Sequence, residues 1–154
     1  MEFNVKSLKY LFPLLFIPAL AVAEPLMPTE ERVAGLILEA QESCAIDGGV
    51  LDLSGDEIVR YDFDNDGRTD LTVLHEFEYE CSSSASLFQG TAGAVAHLMT
   101  DVDYLSGYAR QVLLITIFKD VPTIVLGLHG GACGEAGFVP CAEAITIHEG
   151  RFIR

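Results

Sequence analysis

Four cysteines, Cys44, Cys81, Cys133 and Cys141, constrain this chain most, because they stand behind a leader of export type. Residues 1–23 combine a weakly basic start (Lys6, Lys9), an apolar run over 11–20 and the A-x-A triplet Ala21-Val22-Ala23. These are the three zones of a Sec-type signal peptide. The apolar run is about half the roughly 20 residues a membrane-spanning helix needs, and Pro13 and Pro18 interrupt it. Cleavage after Ala23 is therefore expected. It would leave one mature domain, 24–154, periplasmic or secreted and without a membrane anchor. An even set of thiols in an oxidising compartment implies two disulfide bonds.

Three pairings of four cysteines are possible. Cys133 with Cys141 is favoured, because Gly134, Gly137 and Pro140 give the intervening loop the means to fold back, and Cys44 is then left with Cys81. Structural zinc is disfavoured: it needs reduced thiols, and no C-x-x-C spacing occurs.

Between the cysteines the pattern is one helix followed by strands. Thr29 precedes Glu30 and Glu31, placing a hydroxyl cap and two acids at a helix start. Val33, Leu36, Ile37 and Ala40 then repeat at helical spacing, which predicts an amphipathic helix over about 30–44. After Gly48-Gly49 the period turns to that of strands, over 50–53, 58–63 and 71–79, the last alternating with one mostly acidic face. Residues 112–118 and 123–128 read as core strands of a hairpin about Asp120-Val121-Pro122, and 144–148 with 151–153 as a closing hairpin about Glu149-Gly150. Residues 92–99 suit a strand better than a helix. The fold class expected is α+β, mainly antiparallel sheet with one N-terminal amphipathic helix in the mature chain, stapled by disulfides.

Charge narrows the partners. The chain has 23 acids against 9 Lys and Arg, a formal net charge of -14. Loss of Glu2, Lys6 and Lys9 with the leader makes the mature chain one unit more negative. Clustered bases that would grip phosphates are missing, so nucleic acid is excluded as a partner and an anionic membrane surface is disfavoured. Hydrophobic residues at 50% exclude intrinsic disorder.

The residues that carry chemistry are Asp62-Phe63-Asp64-Asn65-Asp66-Gly67-Arg68-Thr69-Asp70, with carboxylates at positions 1, 3, 5 and 9 and glycine at 6. A turn at the glycine would fold alternate side chains, and the position-7 carbonyl of Arg68, around one point. A hard cation such as Ca2+, which takes about six to eight oxygens, fits that arrangement. The bland reading of the same residues is a solvated Asp/Gly turn between two strands. Position 12 is Val73 in place of a bidentate Glu, and a strand follows instead of a helix, so the motif is not an EF-hand.

With Asp70-Leu71-Thr72-Val73 included, the segment resembles the strand-flanked calcium loop of FG-GAP and VCBS repeats. The resemblance implies Asp62, Asp64, Asp66, the Arg68 carbonyl and Asp70 as ligands. Those families carry several copies on propeller blades, and one copy here does not bring the propeller with it. The whole chain is also similar to small exported single-domain proteins of Gram-negative bacteria that combine such a loop with C-G-x-x-G segments like Cys133 to Gly137, a resemblance that implies no activity.

Enzymatic readings are weaker. His129-Gly130-Gly131 resembles the HGG oxyanion segment of esterases, but no G-x-S-x-G elbow is present, and the segment reads more simply as a glycine-rich turn. The histidines show no i, i+4 spacing, so His75 and His148 read as sheet residues. Glu76, Glu78 and Glu80 read as the solvent face of a strand. The function expected is a non-catalytic, calcium-binding, exported binding or envelope-associated module. The alternatives are a secreted inhibitor of a basic, lysozyme-like hydrolase, drawn by charge, and a small hydrolase using His129.

Overall fold

The computed structural model describes residues 26–154. The expected signal peptide, 1–23, lies outside them.

Helix α1 spans Thr29–Ile46. Its apolar stripe is the one the spacing indicates: Val33 and Ala40 are buried, with Leu36 and Ile37 packed beside them. The helix start differs from expectation. Pro28 precedes it without a side-chain cap, while the Thr29 hydroxyl donates to the Thr100 carbonyl at 3.4 Å. A fixed φ suits proline ahead of a first turn, so Thr29 ties the helix to the sheet instead.

Eleven strands follow among the described residues: β1 Leu51–Leu53, β2 Ile58–Tyr61, β3 Leu71–His75, β4 Tyr79–Cys81, β5 Gln89–Gly90, β6 Gly93–Met99, β7 Tyr104–Ala109, β8 Gln111–Phe118, β9 Val121–Leu128, β10 Cys141–His148 and β11 Arg151–Ile153. All their pairings are antiparallel. A central sheet runs β2-β3-β6, with β7 along the far edge of β6 and short β5 at the start of β6. An outer sheet has the order β11-β10-β9-β8, and β1 with β4 forms a two-stranded ribbon.

Period-2 alternation then sorts side chains into layers. Leu71 and Val73 of β3, with Ala96 and Leu98 of β6, pack against Ile124, Leu126, Ile145 and Ile147 of the outer sheet. Leu74 and Met99, from the opposite face, pack with Tyr79 against α1. The result is helix, central sheet, outer sheet.

The layering explains where the sequence expectations fail. The strand expected over 71–79 stops at His75 and turns through a 3-10 segment, Glu76–Glu78, before β4 joins β1. Within β3, Leu71, Thr72, Val73 and Leu74 are all buried, because a strand covered on both faces loses its alternation of burial. There is no continuous acidic strand face. The 112–128 hairpin forms, yet only β9 is a core strand. β8 is the edge of the outer sheet, and Leu113, Leu114, Ile117 and Phe118 are exposed. The strand expected over 92–99 forms as β6, Gly93–Met99, at the centre of the fold with Ala92 in the turn before it, and the closing hairpin turns at Glu149-Gly150, both with positive φ.

Two disulfides staple the layers. Cys44–Cys81 joins α1 to β4, and Cys133–Cys141 joins a 3-10 turn, Gly130–Cys133, to the start of β10. No cysteine is free.

Candidate metal centre

The acidic segment is the loop between β2 and β3, and its ends are fixed by the ladder. The Asp70 amide donates to the Tyr61 carbonyl at 2.8 Å, so Asp62 and Asp70 leave and re-enter the sheet side by side. Inside the loop Asn65 (φ 61°) and Gly67 (φ 86°) are left-handed, a conformation glycine adopts freely and Asn tolerates. These reversals turn backbone amides inward. The Asp66 amide donates to Asp62 Oδ1 at 3.2 Å and to Asp64 Oδ1 at 3.0 Å, and the Gly67 amide donates to Asp62 Oδ2 at 2.9 Å. The Phe63 amide donates to Asp70 Oδ2 at 2.7 Å.

The outcome is a triad. One carboxylate oxygen each from Asp62, Asp64 and Asp70 lies within 4.8 Å of the others, a spacing able to hold a metal ion. The fourth carboxylate of the sequence motif stands apart from this triad. Asp66 accepts from the Arg68 amide at 2.8 Å and from Arg68 Nε at 2.9 Å. Those hydrogen bonds hold the Asp66 carboxyl below its ordinary range and raise the Arg68 guanidinium above its own. Arg68 thus serves the loop through a side chain that neutralises Asp66, a role the spacing did not indicate.

Three histidines are engaged away from the loop, while His148 lines a cleft together with Asp64 and Asp70. His129 Nδ1 accepts from the Gly131 amide at 3.2 Å and its ring lies against Gly137, where any Cβ would collide with it. The HGG segment is a capped 3-10 turn, with His129 engaged in its own loop. His75 stacks on Phe77 with its Nε2 3.4 Å from the Ala109 carbonyl, and burial pulls its pKa below the ordinary value.

The feature hidden from sequence is a buried polar network. His97 is 5% exposed; its Nδ1 lies 2.7 Å from the Tyr104 hydroxyl and its Nε2 2.9 Å from Glu76 Oε1. Because a carboxylate only accepts, Nε2–H donates to Glu76, and in the neutral ring Nδ1 then accepts from Tyr104. The Arg32 guanidinium of α1 sits over the Tyr104 ring, 4.7 Å from its centroid. The sequence pattern places Glu76 on a solvent face; the 3-10 turn after β3 brings it inward, and local periodicity holds no sign of that turn.

Comparison with protein-family models, with curated proteins and with solved structures found no match for this chain.

Proposed function

We propose that this protein is a calcium-binding, non-catalytic module of an oxidising extracytoplasmic compartment, with the β2–β3 loop as its ion site. The single observation that carries the reading is the Asp62, Asp64 and Asp70 triad, three carboxylate oxygens within 4.8 Å on one loop between paired strands. Carboxylates so close repel one another, and a divalent ion offsets that repulsion. Oxygen-only donors on a flexible turn suit a hard ion of the size of Ca2+ better than a transition metal, which prefers nitrogen or sulfur. Asp66 and the Arg68 carbonyl, the other two positions implied by the resemblance to FG-GAP and VCBS loops, would join after the Arg68–Asp66 pair opens. Two disulfides accord with export, and among the described residues no helix is long and apolar enough to cross a membrane.

Thermal unfolding with Ca2+, with Mg2+ and with chelator tests the reading. An ion that binds only the folded chain, present at about 100 times its dissociation constant, adds about 2.7 kcal/mol. The melting temperature should rise with Ca2+ in wild type and stay fixed in Asp62→Asn/Asp64→Asn. Identical wild-type curves with Ca2+ and with chelator would remove the site.

A further inference from the structure

We infer that the free edge of β8, with the cleft beside it, is a docking site for an extended basic segment of another protein. The proposal is independent of the metal site and rests on three observations.

First, among the described residues β8 pairs with β9 alone and leaves its other edge open over eight residues, Gln111–Phe118. That stretch contains no charged residue and no proline, the usual devices that keep an exposed edge from pairing. A bulge between Val112 and Leu114 is its one irregularity.

Second, Val112 and Ile115 pack on the core, but much of the strand's apolar surface stays outside it. Leu114 is 52% and Phe118 61% exposed on one face of the strand and Ile117 is 50% exposed on the other, apolar surface of a kind that marks interaction sites.

Third, a cleft of about 500 Å3 opens between β8 and the β2–β3 edge of the central sheet. Val59, Tyr61, Val73 and Ile115 give it apolar walls, while Asp56, Glu57 and Glu78 bring three carboxylates to it against the Arg110 guanidinium and the His75 imidazole.

Together these select the occupant. An open ladder edge takes an extended backbone by strand addition, and apolar walls take alternate side chains. The carboxylates take Lys or Arg. A second copy of this chain is a poor match, since it carries the same carboxylates and the same net charge of -14.

The test uses the full chain and a fluorescein-labelled heptapeptide, Lys-Val-Thr-Val-Thr-Val-Lys, with Glu-Val-Thr-Val-Thr-Val-Glu as its charge-reversed control. Fluorescence anisotropy should saturate with the Lys peptide, and the Glu peptide should bind at least about tenfold more weakly. Ile117→Lys, at an exposed position, should keep the wild-type unfolding midpoint and weaken the Lys peptide by about tenfold or more. Glu78→Gln should weaken it less and flatten its salt dependence.

Failure of the Lys peptide to saturate by about 1 mM would overturn the proposal. So would equal binding of the two peptides, or an unchanged affinity in Ile117→Lys. Sedimentation equilibrium showing a dimer that Ile117→Lys dissolves would give the edge to a second copy and overturn it as well.

Discussion

The two disulfides close rings of different size, so removing them one at a time should reveal different free energies. Cys44–Cys81 spans 37 positions and Cys133–Cys141 spans 8. In the chain-entropy relation these separations correspond to about 3.8 and about 2.5 kcal/mol of restriction on the unfolded chain at 25 °C. Packing widens the gap. Cys44 and Cys81 are 0% and 5% exposed, so Ala at both sites also removes buried sulfur, whereas Cys133 and Cys141 lie nearer the surface. The rings do not overlap in sequence, so the two losses should nearly add. Their sum, about 6 kcal/mol, is of the order of a whole domain's stability, and a chain lacking both bridges should be largely unfolded. The assay is urea denaturation of Cys44→Ala/Cys81→Ala and of Cys133→Ala/Cys141→Ala under non-reducing conditions. The first should lose more by at least about 1.3 kcal/mol, the difference between the two ring entropies. Gly49→Ala supplies an internal control, since a Cβ there would meet Ser83 Oγ, the end of a side chain that can rotate away, and would lie 2.7 Å from Cys81 Sγ and 2.8 Å from Cys44 Sγ, which are fixed by their bond. It should destabilise wild type by about 1–3 kcal/mol and the Cys44→Ala/Cys81→Ala background much less. A costlier loss at Cys133–Cys141 would refute the reasoning from ring size and burial.

Three further outcomes follow from the buried polar groups. Removing His97 with His97→Ala should cost at least about 2 kcal/mol in urea, because Glu76 and the Tyr104 hydroxyl lose their shared partner; Glu76→Gln, which keeps an acceptor oxygen, should cost less. Tyr79→Phe should be neutral or stabilising by up to about 1 kcal/mol in thermal unfolding, since the Tyr79 hydroxyl is buried with no hydrogen-bond partner among the described residues and burial drives its pKa up. Burial lowers the pKa of His75 from the ordinary 6.5, so on acidification the unfolded chain takes up that proton first. The stability from a neutral His75 is therefore complete above about pH 6.5 and lost as pH falls through the folded value. Unfolding midpoints at about pH 7.5 and 5.5 should differ more in wild type than in His75→Gln, and an NMR titration of His75 should give a pKa below 6.5.

Much of this molecule is legible locally. The helix face of Val33, Leu36, Ile37 and Ala40, the closing hairpin at Glu149-Gly150 and the pairing of Cys133 with Cys141 across a glycine-rich loop all depend on neighbours within a few residues. The candidate site divides along the same line. Asp62 and Asp64 are turned inward by amides of their own loop, while the pairing of Asp66 with Arg68 is a choice of partner that spacing leaves open. What stayed hidden depends on position within the sheets. Alternation continues past His75 into Glu76 and Tyr79, yet the chain turns there to reach β1, and Glu76 meets His97 across 21 positions. Likewise the apolar run of β8 looks like that of β9. One is an edge and the other is paired on both sides, and order within a sheet is set by pairings from elsewhere in the chain.

The loop's hydrogen bonds and its proposed ion are compatible because each carboxylate oxygen has two lone pairs. An amide donor occupies one and leaves the other for a cation, so the bonds from Asp66, Gly67 and Phe63 orient the triad without exhausting it. The same bonds couple the site to the core. Phe63 packs on the cluster that joins the two sheets and stacks on Tyr61 at 6.0 Å, while its amide holds Asp70. Asp70 in turn leads directly into β3, whose next four residues are buried. An ion bound at the triad would therefore lock both ends of the loop to strands already committed to the core, and the entropy it removes belongs to the short segment between them. On this geometry a bound ion would contribute stability, delivered at the corner where β2 and β3 enter the sandwich.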